Sequence, residues 1–178
     1  MELHLVLDNY IIFDNNLKNT HMSDQHKYQV HLNWIEARKG LLQSDVLDSK
    51  IEVVTPPEFP KGINGLWSPE HLFVGAVNSC FMTTFLSVAE NSKLNFSKFE
   101  CNAIGTLDRI DGKYRITEIT LFPILSIKDE TLKDKGIRVM EMSEKACLIS
   151  NSINSKVILQ PEIRIINTAI ISEELNIP

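Results

Sequence analysis

The sequence of 178 residues predicts a single α+β domain with antiparallel strands, and three observations support this prediction. Segments with alternating apolar residues, typical of strands, lie on both sides of one long apolar helix. An Asp-Gly pair separates two strand-like runs, which is a strong signal for a hairpin of antiparallel strands. Strands, helix, hairpin, helix and strand then follow in an order that is typical of α+β folds.

The first predicted strand is KYQVHLNWI, residues 27–35, which ends at the turn EARKG. Its alternating apolar side chains share one face: Tyr28, Val30, Leu32 and Trp34. More extended chain follows in LLQSDVLDSKIEVVTP, and residues 56–67 form a loop that is marked by Pro and Gly. The amino-terminal part of the domain is therefore predicted to be made of strands.

A long helix is predicted to begin after this loop. Ser68 is a good N-cap, Pro69 fits the first helical position, and Glu70 lies in the first turn, where the helix dipole favours an anion. The helix runs to about Asn91 and is apolar nearly all round, which predicts burial on several sides.

The rest of the domain is predicted to be a hairpin, a second helix and a last strand. Residues 98–127 form the hairpin, with Asp111-Gly112 as its turn. Residues 129–153 have apolar residues at helical spacing, which places Cys147 within a helix, and SKVILQPEIRII is the last strand.

Residues 1–21 differ from the rest of the chain. They are rich in Asn, and Met22 then opens a stretch that looks like an ordinary start. We therefore expect an amino-terminal extension of unknown role over residues 1–21 and a single domain over residues 22–178.

The net charge and the hydropathy of the sequence indicate which partners and which cellular location to expect. A net charge of −5 without a basic run argues against nucleic acid as a partner. The amino terminus lacks the basic region of a signal peptide. The most apolar run, residues 72–89, is interrupted by polar residues and is better explained as a buried helix than as a membrane span. We expect a cytoplasmic protein without a membrane partner.

The chain has three cysteines, and two interpretations of Cys80 are open. Cys80, Cys101 and Cys147 are widely spaced without a CxxC pair, so neither a metal site nor a disulfide framework is predicted. Cys80 lies about three turns into the helix, where the dipole no longer lowers a thiol pKa. It is therefore either an inert core residue or a nucleophile that needs a cation from elsewhere. Cys101, on a predicted strand, is interpreted as structural.

The segments ARKG, SPEHLFVGAVNSCF and CLISNS together resemble the OsmC/Ohr family of osmotically inducible protein C and organic hydroperoxide resistance proteins. The resemblance covers roughly residues 28–166. It implies an OsmC-like fold, in which antiparallel sheets pack around two long central helices in an intertwined homodimer.

The resemblance also implies a thiol-dependent peroxidase that uses no metal or flavin cofactor. Cys80 would be the peroxidatic cysteine and Cys147 the resolving cysteine. Arg38, or its neighbour Lys39, would stabilise the thiolate, and Glu70 would hold Arg38 in place. Organic hydroperoxides, and less well hydrogen peroxide, would be the substrates, and a dithiol would be the reductant.

The chain differs from the family pattern near the second cysteine. Leu148 stands where Pro usually follows that cysteine, and Glu144 stands where His is frequent. Two alternatives therefore remain open. One is an OsmC-like protein without robust peroxidase activity that acts on or binds another small thiol-reactive ligand. The other is a dimeric small-ligand-binding or structural protein with two incidental core cysteines.

The spacing of Glu70 and Cys80 raises a geometric problem. Ten residues of straight helix are about 15 Å along the axis, and an Arg side chain spans only about 7 Å. One Arg cannot contact both residues in one straight helix. Either the helix kinks, for which Gly75 is the candidate, or Glu70 serves the Cys80 of a second subunit.

Overall fold

The computed structural model describes residues 25–166, so the predicted extension and residues 22–24 and 167–178 lie outside the described residues. Seven strands and two α-helices follow one another in the described part, with short 3₁₀ turns on either side of the second helix. Their bounds are β1 (His31–Glu36), β2 (Lys39–Gln43), β3 (Ile51–Val54), α1 (Pro69–Asn91), β4 (Lys98–Ile110), β5 (Lys113–Ile127), a 3₁₀ turn (Glu130–Leu132), α2 (Lys133–Ala146), a 3₁₀ turn (Ser150–Ser152), β6 (Lys156–Leu159) and β7 (Glu162–Ile165).

The first sheet is antiparallel, in the order β1-β2-β3. Its first strand begins at His31, four residues later than predicted. The predicted apolar face does not lie in the core of this chain, because Tyr28 is 94% exposed and Trp34 is 75% exposed. A backbone hydrogen bond from the Val54 N–H of this sheet to the Trp67 carbonyl joins it to the start of α1, and Phe59 in the loop between them lies edge-on to Tyr114 of β5.

The second sheet is built on the long hairpin of β4 and β5. Asp111 and Gly112 both adopt positive φ angles, 50° and 77°, so the Asp-Gly turn is confirmed. β6 and β7 follow each other along the other edge of β5 and run parallel to it. The predicted last strand is thus two short strands, separated at Gln160-Pro161. Their direction is parallel because α2 carries the chain back across the sheet between β5 and β6.

α1 begins and ends where the sequence indicates. The Ser68 side chain accepts a hydrogen bond from the His71 N–H, which confirms the N-cap. The helix packs on the second sheet through one stripe, whose members are Val77, Phe81, Phe85 and Ala89. Phe73, Met82 and Leu86 stay between 36% and 44% exposed, so the predicted burial on several sides is not reached within one chain.

α2 is shorter than predicted. It ends at Ala146, and Cys147 is its C-cap in an extended conformation. The prediction that Cys147 lies within a helix is therefore wrong, because the chain leaves the helix at this residue to reach β6. Gly136 lies where α2 approaches the sheet closely, since a Cβ there would come within 3.0 Å of Leu125 and Ile163 side chains.

The α+β fold class is confirmed, with parallel pairing of β6 and β7 as an addition to the antiparallel sheets. α1 is long and apolar enough to cross a membrane by length and composition alone. The core helix of a soluble protein passes the same test, and one stripe of α1 belongs to the core described above.

Candidate active site

Cys80 and Cys147 are 67 residues apart in the sequence and meet in the structure. Cys80 projects from α1 about three turns after its start, and Cys147 opens the segment that follows α2. The two thiols are close enough for each to shift the pKa of the other, and Cys147 lowers the pKa of Cys80. The Ile149 N–H donates to the same sulfur, with 3.5 Å between the nitrogen and Sγ. Two free thiols therefore share one site.

The Cys80 sulfur lies in an environment that favours the thiolate. Burial raises the pKa of the Cys80 thiol, but hydrogen bonds outweigh this and hold the pKa below its usual value. The donors, in order of effect, are Ile149 N–H, the Cys147 thiol, the Thr84 hydroxyl and Leu148 N–H. Cys80 is partly exposed, so a small molecule can reach it.

Cys147 lies in the opposite environment. It is fully buried, and this burial raises the pKa of the Cys147 thiol above its usual value. The adjacent Ser150 lowers this pKa and so opposes the rise, and the adjacent Cys80 adds to the rise. The pair therefore consists of one thiol that ionises readily and one that stays protonated beside it.

Cys101 is separate from this pair. It lies on β4, and its carbonyl accepts a hydrogen bond from the Asn78 side chain at 3.0 Å. Burial raises the pKa of the Cys101 thiol to about 11. A thiol of this kind is un-ionised at neutral pH, which agrees with the structural interpretation of Cys101.

Arg38 and Glu70 line a common cavity of about 670 Å³ between the first sheet and the start of α1. Cys80 is not among its lining residues. Within residues 25–166, no ion pair joins Arg38 to Glu70, and Arg38 is exposed. One carboxylate oxygen of Glu70 is buried without a hydrogen-bond partner in the described chain. Lys39 also lines the cavity, and its ammonium pairs with Glu52 at 2.8 Å.

The chain thus brings Cys80 and Cys147 together, and it places Arg38 and Glu70 at a separate cavity. α1 runs unbroken from Pro69 to Asn91, so Gly75 does not interrupt the helix. Glu70 and Cys80 remain about 15 Å apart along the axis. The Arg38 and Glu70 cavity and the cysteine pair are two separate places on one chain.

Residues that neighbour Cys80 in the sequence do not all lie at its sulfur. Val77 and Phe81 are fully buried in the core, so they do not line a substrate surface. The Ile149 N–H, from a distant part of the chain, donates to the Cys80 sulfur, and Thr84 and Leu148 also lower the pKa of this thiol. The i+4 spacing of Thr84 was a usable signal, whereas the contact with Ile149 depends on the fold. Among residues 25–166, no cluster of three or more His, Cys, Asp or Glu side chains could hold a metal.

Comparison with known sequences gives a family match. The sequence profile of the OsmC-like protein family matches residues 62–162. The uncharacterized protein YmaD of Bacillus subtilis is 25% identical over 147 residues, which are 79% of this chain and 95% of YmaD.

Comparison with solved structures gives the same fold. An OsmC-like protein of unknown function from Vibrio cholerae has a TM-score of 0.68 at 23% identity, over 77% of this chain and 99% of its own. An organic hydroperoxide resistance protein from Elizabethkingia anophelis has a TM-score of 0.62 at 19% identity, over 80% and 99%. The organic hydroperoxide resistance protein OhrB of Bacillus subtilis has a TM-score of 0.58 at 18% identity, over 77% and 98%.

The family profile spans more than half of the chain, and its range includes the helix that carries Cys80 and the segment that carries Cys147. The solved structures share the arrangement of sheets and helices described above. This protein therefore belongs to the OsmC-like (OsmC/Ohr) protein family.

Proposed function

We propose that this protein is a thiol-dependent peroxidase that reduces organic hydroperoxides, and hydrogen peroxide less well, through Cys80 and Cys147. The observation that carries the proposal is the contact between a partly exposed thiol of lowered pKa and a buried thiol of raised pKa. A nucleophile needs the first kind of thiol, and a resolving group needs to lie beside it. Relatives in fold that are named organic hydroperoxide resistance proteins also support it.

The reaction begins at Cys80. Its thiolate attacks the outer oxygen of the hydroperoxide, the O–O bond breaks, and the alkoxide leaves and takes a proton to become an alcohol. Cys80 is now a sulfenic acid, oxidised by two electrons. The Cys147 sulfur then attacks the Cys80 sulfur, gives up its proton, and releases water as the disulfide forms.

A dithiol reductant completes the cycle. One of its thiolates attacks the Cys80–Cys147 disulfide to form a mixed disulfide, and its second thiol displaces the protein thiol. The reductant leaves as a disulfide, and both protein cysteines are thiols again. Two electrons per peroxide therefore come from the external dithiol.

The roles of Arg38 and Glu70 require a second subunit in this proposal. Both line one cavity, and the Cys80 of the same chain does not. A buried carboxylate oxygen without a partner, as in Glu70, costs free energy unless another group reaches it. Apolar side chains on the first sheet and on α1 are also exposed in one chain, among them Trp34, Met82 and Leu86. A homodimer that covers these faces would set Arg38 and Glu70 of one subunit against Cys80 of the other.

The test of the function is a count of free thiols before and after one equivalent of an organic hydroperoxide. We expect the wild-type protein to lose two thiols, and Cys101→Ser, which keeps the pair, to lose two as well. Cys80→Ser should consume no peroxide. Cys147→Ser should turn over about once and leave Cys80 as a sulfenic acid or a more oxidised form.

Two outcomes would contradict the proposal. If the wild-type protein loses no thiol, the alternative of an OsmC-like protein that binds or acts on another small ligand is favoured. If Cys147→Ser turns over with a dithiol at the wild-type rate, Cys147 has no resolving role.

A further inference from the structure

The turn that carries Arg38 holds its first residue in an unfavourable backbone conformation. Glu36 pairs with Lys39, so Ala37 and Arg38 form the two-residue loop between β1 and β2. The turns most common in such loops have a positive φ at their first residue, where Gly, Asn and Asp are preferred. Ala37 has φ 42°, a region in which its Cβ costs free energy. Contacts from outside the loop are therefore needed to hold this turn.

Two hydrogen bonds from outside the loop hold the backbone on either side of Arg38. The Trp34 indole N–H donates to the Ala37 carbonyl at 3.1 Å. The Thr55 N–H donates to the Arg38 carbonyl at 3.3 Å. The Ala37 carbonyl lies in the same planar peptide unit as the Arg38 Cα, so the indole bond orients the backbone that enters Arg38. The peptide groups before and after this residue are thus both fixed.

The Arg38 side chain, in contrast, is left free for another group. It is exposed and belongs to none of the ion pairs within residues 25–166. The neighbouring Lys39 is already paired with Glu52. A fixed backbone and a free guanidinium together suit a cation that serves a site outside its own chain.

We propose that Trp34 is the positioning residue of Arg38, because its indole N–H fixes the turn from which the guanidinium serves Cys80 of a second subunit. The inference rests on the role proposed for Arg38, and it adds the residue that places this cation. Trp34 and Arg38 line the same cavity. Trp34 is 75% exposed, and an exposed N–H can also bond to water. The benefit of the bond therefore lies in the turn and not in burial of the indole.

Trp34 also belongs to the exposed apolar side chains that a dimer is expected to cover, so the test must separate its N–H from its apolar surface. Trp34→Phe keeps an aromatic ring and removes the N–H. Val30→Ala is the matched control, since Val30 precedes β1 and its replacement removes exposed apolar surface at the opposite end of that strand. Sedimentation establishes that each variant has the oligomeric state of the wild type.

The hold on the turn is tested by limited digestion of the native, full-length protein with trypsin. Trypsin cleaves after Arg38 only when the turn opens, and the cleaved chain is identified by its mass. Trp34→Phe should speed this cleavage about threefold, since a hydrogen bond of ordinary strength is lost and cleavage follows the open population. Val30→Ala should be cleaved at the wild-type rate.

The effect on Cys80 is tested by alkylation with iodoacetamide, read by peptide mapping in a Cys101→Ser background without peroxide. Trp34→Phe should slow the alkylation of Cys80 about threefold at a pH below the pKa of this thiol. In an Arg38→Met background, Trp34→Phe should cause no further slowing, because Trp34 acts through Arg38. A purely structural role of Trp34 would slow alkylation equally in both backgrounds.

The inference is overturned if trypsin cleaves Trp34→Phe at the wild-type rate, or if Trp34→Phe slows alkylation equally with and without Arg38. Faster cleavage, together with unchanged alkylation in both Arg38→Met and Trp34→Phe, would refute the role proposed for Arg38 and leave the hold of Trp34 on the turn standing. Because no peroxide is present in either test, a protein that behaves as expected here and yet consumes no peroxide would refute the proposed peroxidase alone.

Discussion

The reactivity of Cys80 depends on a balance between burial and hydrogen bonding at one sulfur atom. Burial raises the pKa of this thiol, and the surrounding donors lower it below the usual cysteine value. The same chain provides two comparisons, because burial dominates at both Cys101 and Cys147 and raises their pKa values. The three thiols therefore differ in pKa because the hydrogen-bond donors around each sulfur differ.

This balance predicts the pH dependence of peroxide consumption. Only the thiolate attacks, so the rate should rise with pH through the lowered pKa of Cys80 and then level off. The plateau should be reached at a lower pH than for an ordinary cysteine. Stopped-flow measurements of peroxide loss under single-turnover conditions check this, and a rate that still climbs at the usual cysteine pKa would contradict it.

Arg38 is predicted to act on the same thiol in the dimer. Arg38→Met should raise the Cys80 pKa, because a nearby positive charge favours the thiolate. Lys39→Met is the control, since the Lys39 ammonium already pairs with Glu52. Alkylation followed against pH measures both. If the Cys80 pKa rises only in Lys39→Met, Lys39 is the cation that acts on the thiol. If it rises in neither variant, neither side chain acts on Cys80.

The placement of Cys80 depends on how α1 packs against the second sheet. Its buried stripe lies against β4 and β5, and Phe85 stacks on Phe99 of β4 with 4.1 Å between ring centroids. Gly105 on β4 allows the helix to come close, because a Cβ at this position would collide with the Val74 side chain. Val74 is β-branched and has little rotamer freedom in a helix, so it cannot move aside easily.

This close approach predicts a coupling between Gly105 and Val74. Gly105→Ala should lower the free energy of unfolding by about 1–3 kcal/mol through overpacking. In a Val74→Ala background, which opens space beside Gly105, the cost of Gly105→Ala should be smaller. Urea unfolding of the two single variants and the double variant measures the coupling. An equal cost of Gly105→Ala in both backgrounds would show that Val74 does not limit the approach.

The assembly of the protein decides whether the four proposed site residues can act together. Within one chain, Cys80 and Cys147 form one group, and Arg38 and Glu70 line a cavity elsewhere. The first sheet and one side of α1 leave large apolar side chains exposed, as a layer does when its partner layer is absent. An isologous dimer would explain both features. Arg38 and Glu70 of each subunit would lie beside Cys80 of the other, and the exposed apolar faces would be covered.

Mixing two impaired variants tests this assembly. Glu70→Ala and Cys80→Ser, each weak alone, should regain activity when refolded together, because one site of the heterodimer has both Glu70 and Cys80. In an equal mixture about half of the dimers are heterodimers with one intact site of two, so about a quarter of the wild-type activity is expected. Sedimentation shows the oligomeric state. A monomer, or a mixture without recovery, would mean that Glu70 does not serve the Cys80 of a partner.

Local chemistry made several features predictable from the sequence. Ser68 and Pro69 mark the start of α1, and Asp111-Gly112 marks the hairpin, because caps and tight turns depend on a few adjacent residues. The motifs around Cys80 and Cys147 indicated the family, which the comparison confirms. The antiparallel core and the α+β class followed from the order of the elements.

Contacts between distant parts of the chain decided the rest. The sequence pattern extends helical spacing through Cys147, yet the chain turns there so that the segment after α2 can reach Cys80 and then β6. β6 and β7 run parallel because α2 crosses the sheet, and no local signal shows strand direction. The two groups that lower the Cys80 pKa most, the Ile149 N–H and the Cys147 thiol, come from the segment that follows α2, which spacing along the helix could not reveal. A thiol pKa is set by what surrounds the sulfur in space, and the folded chain determines those surroundings.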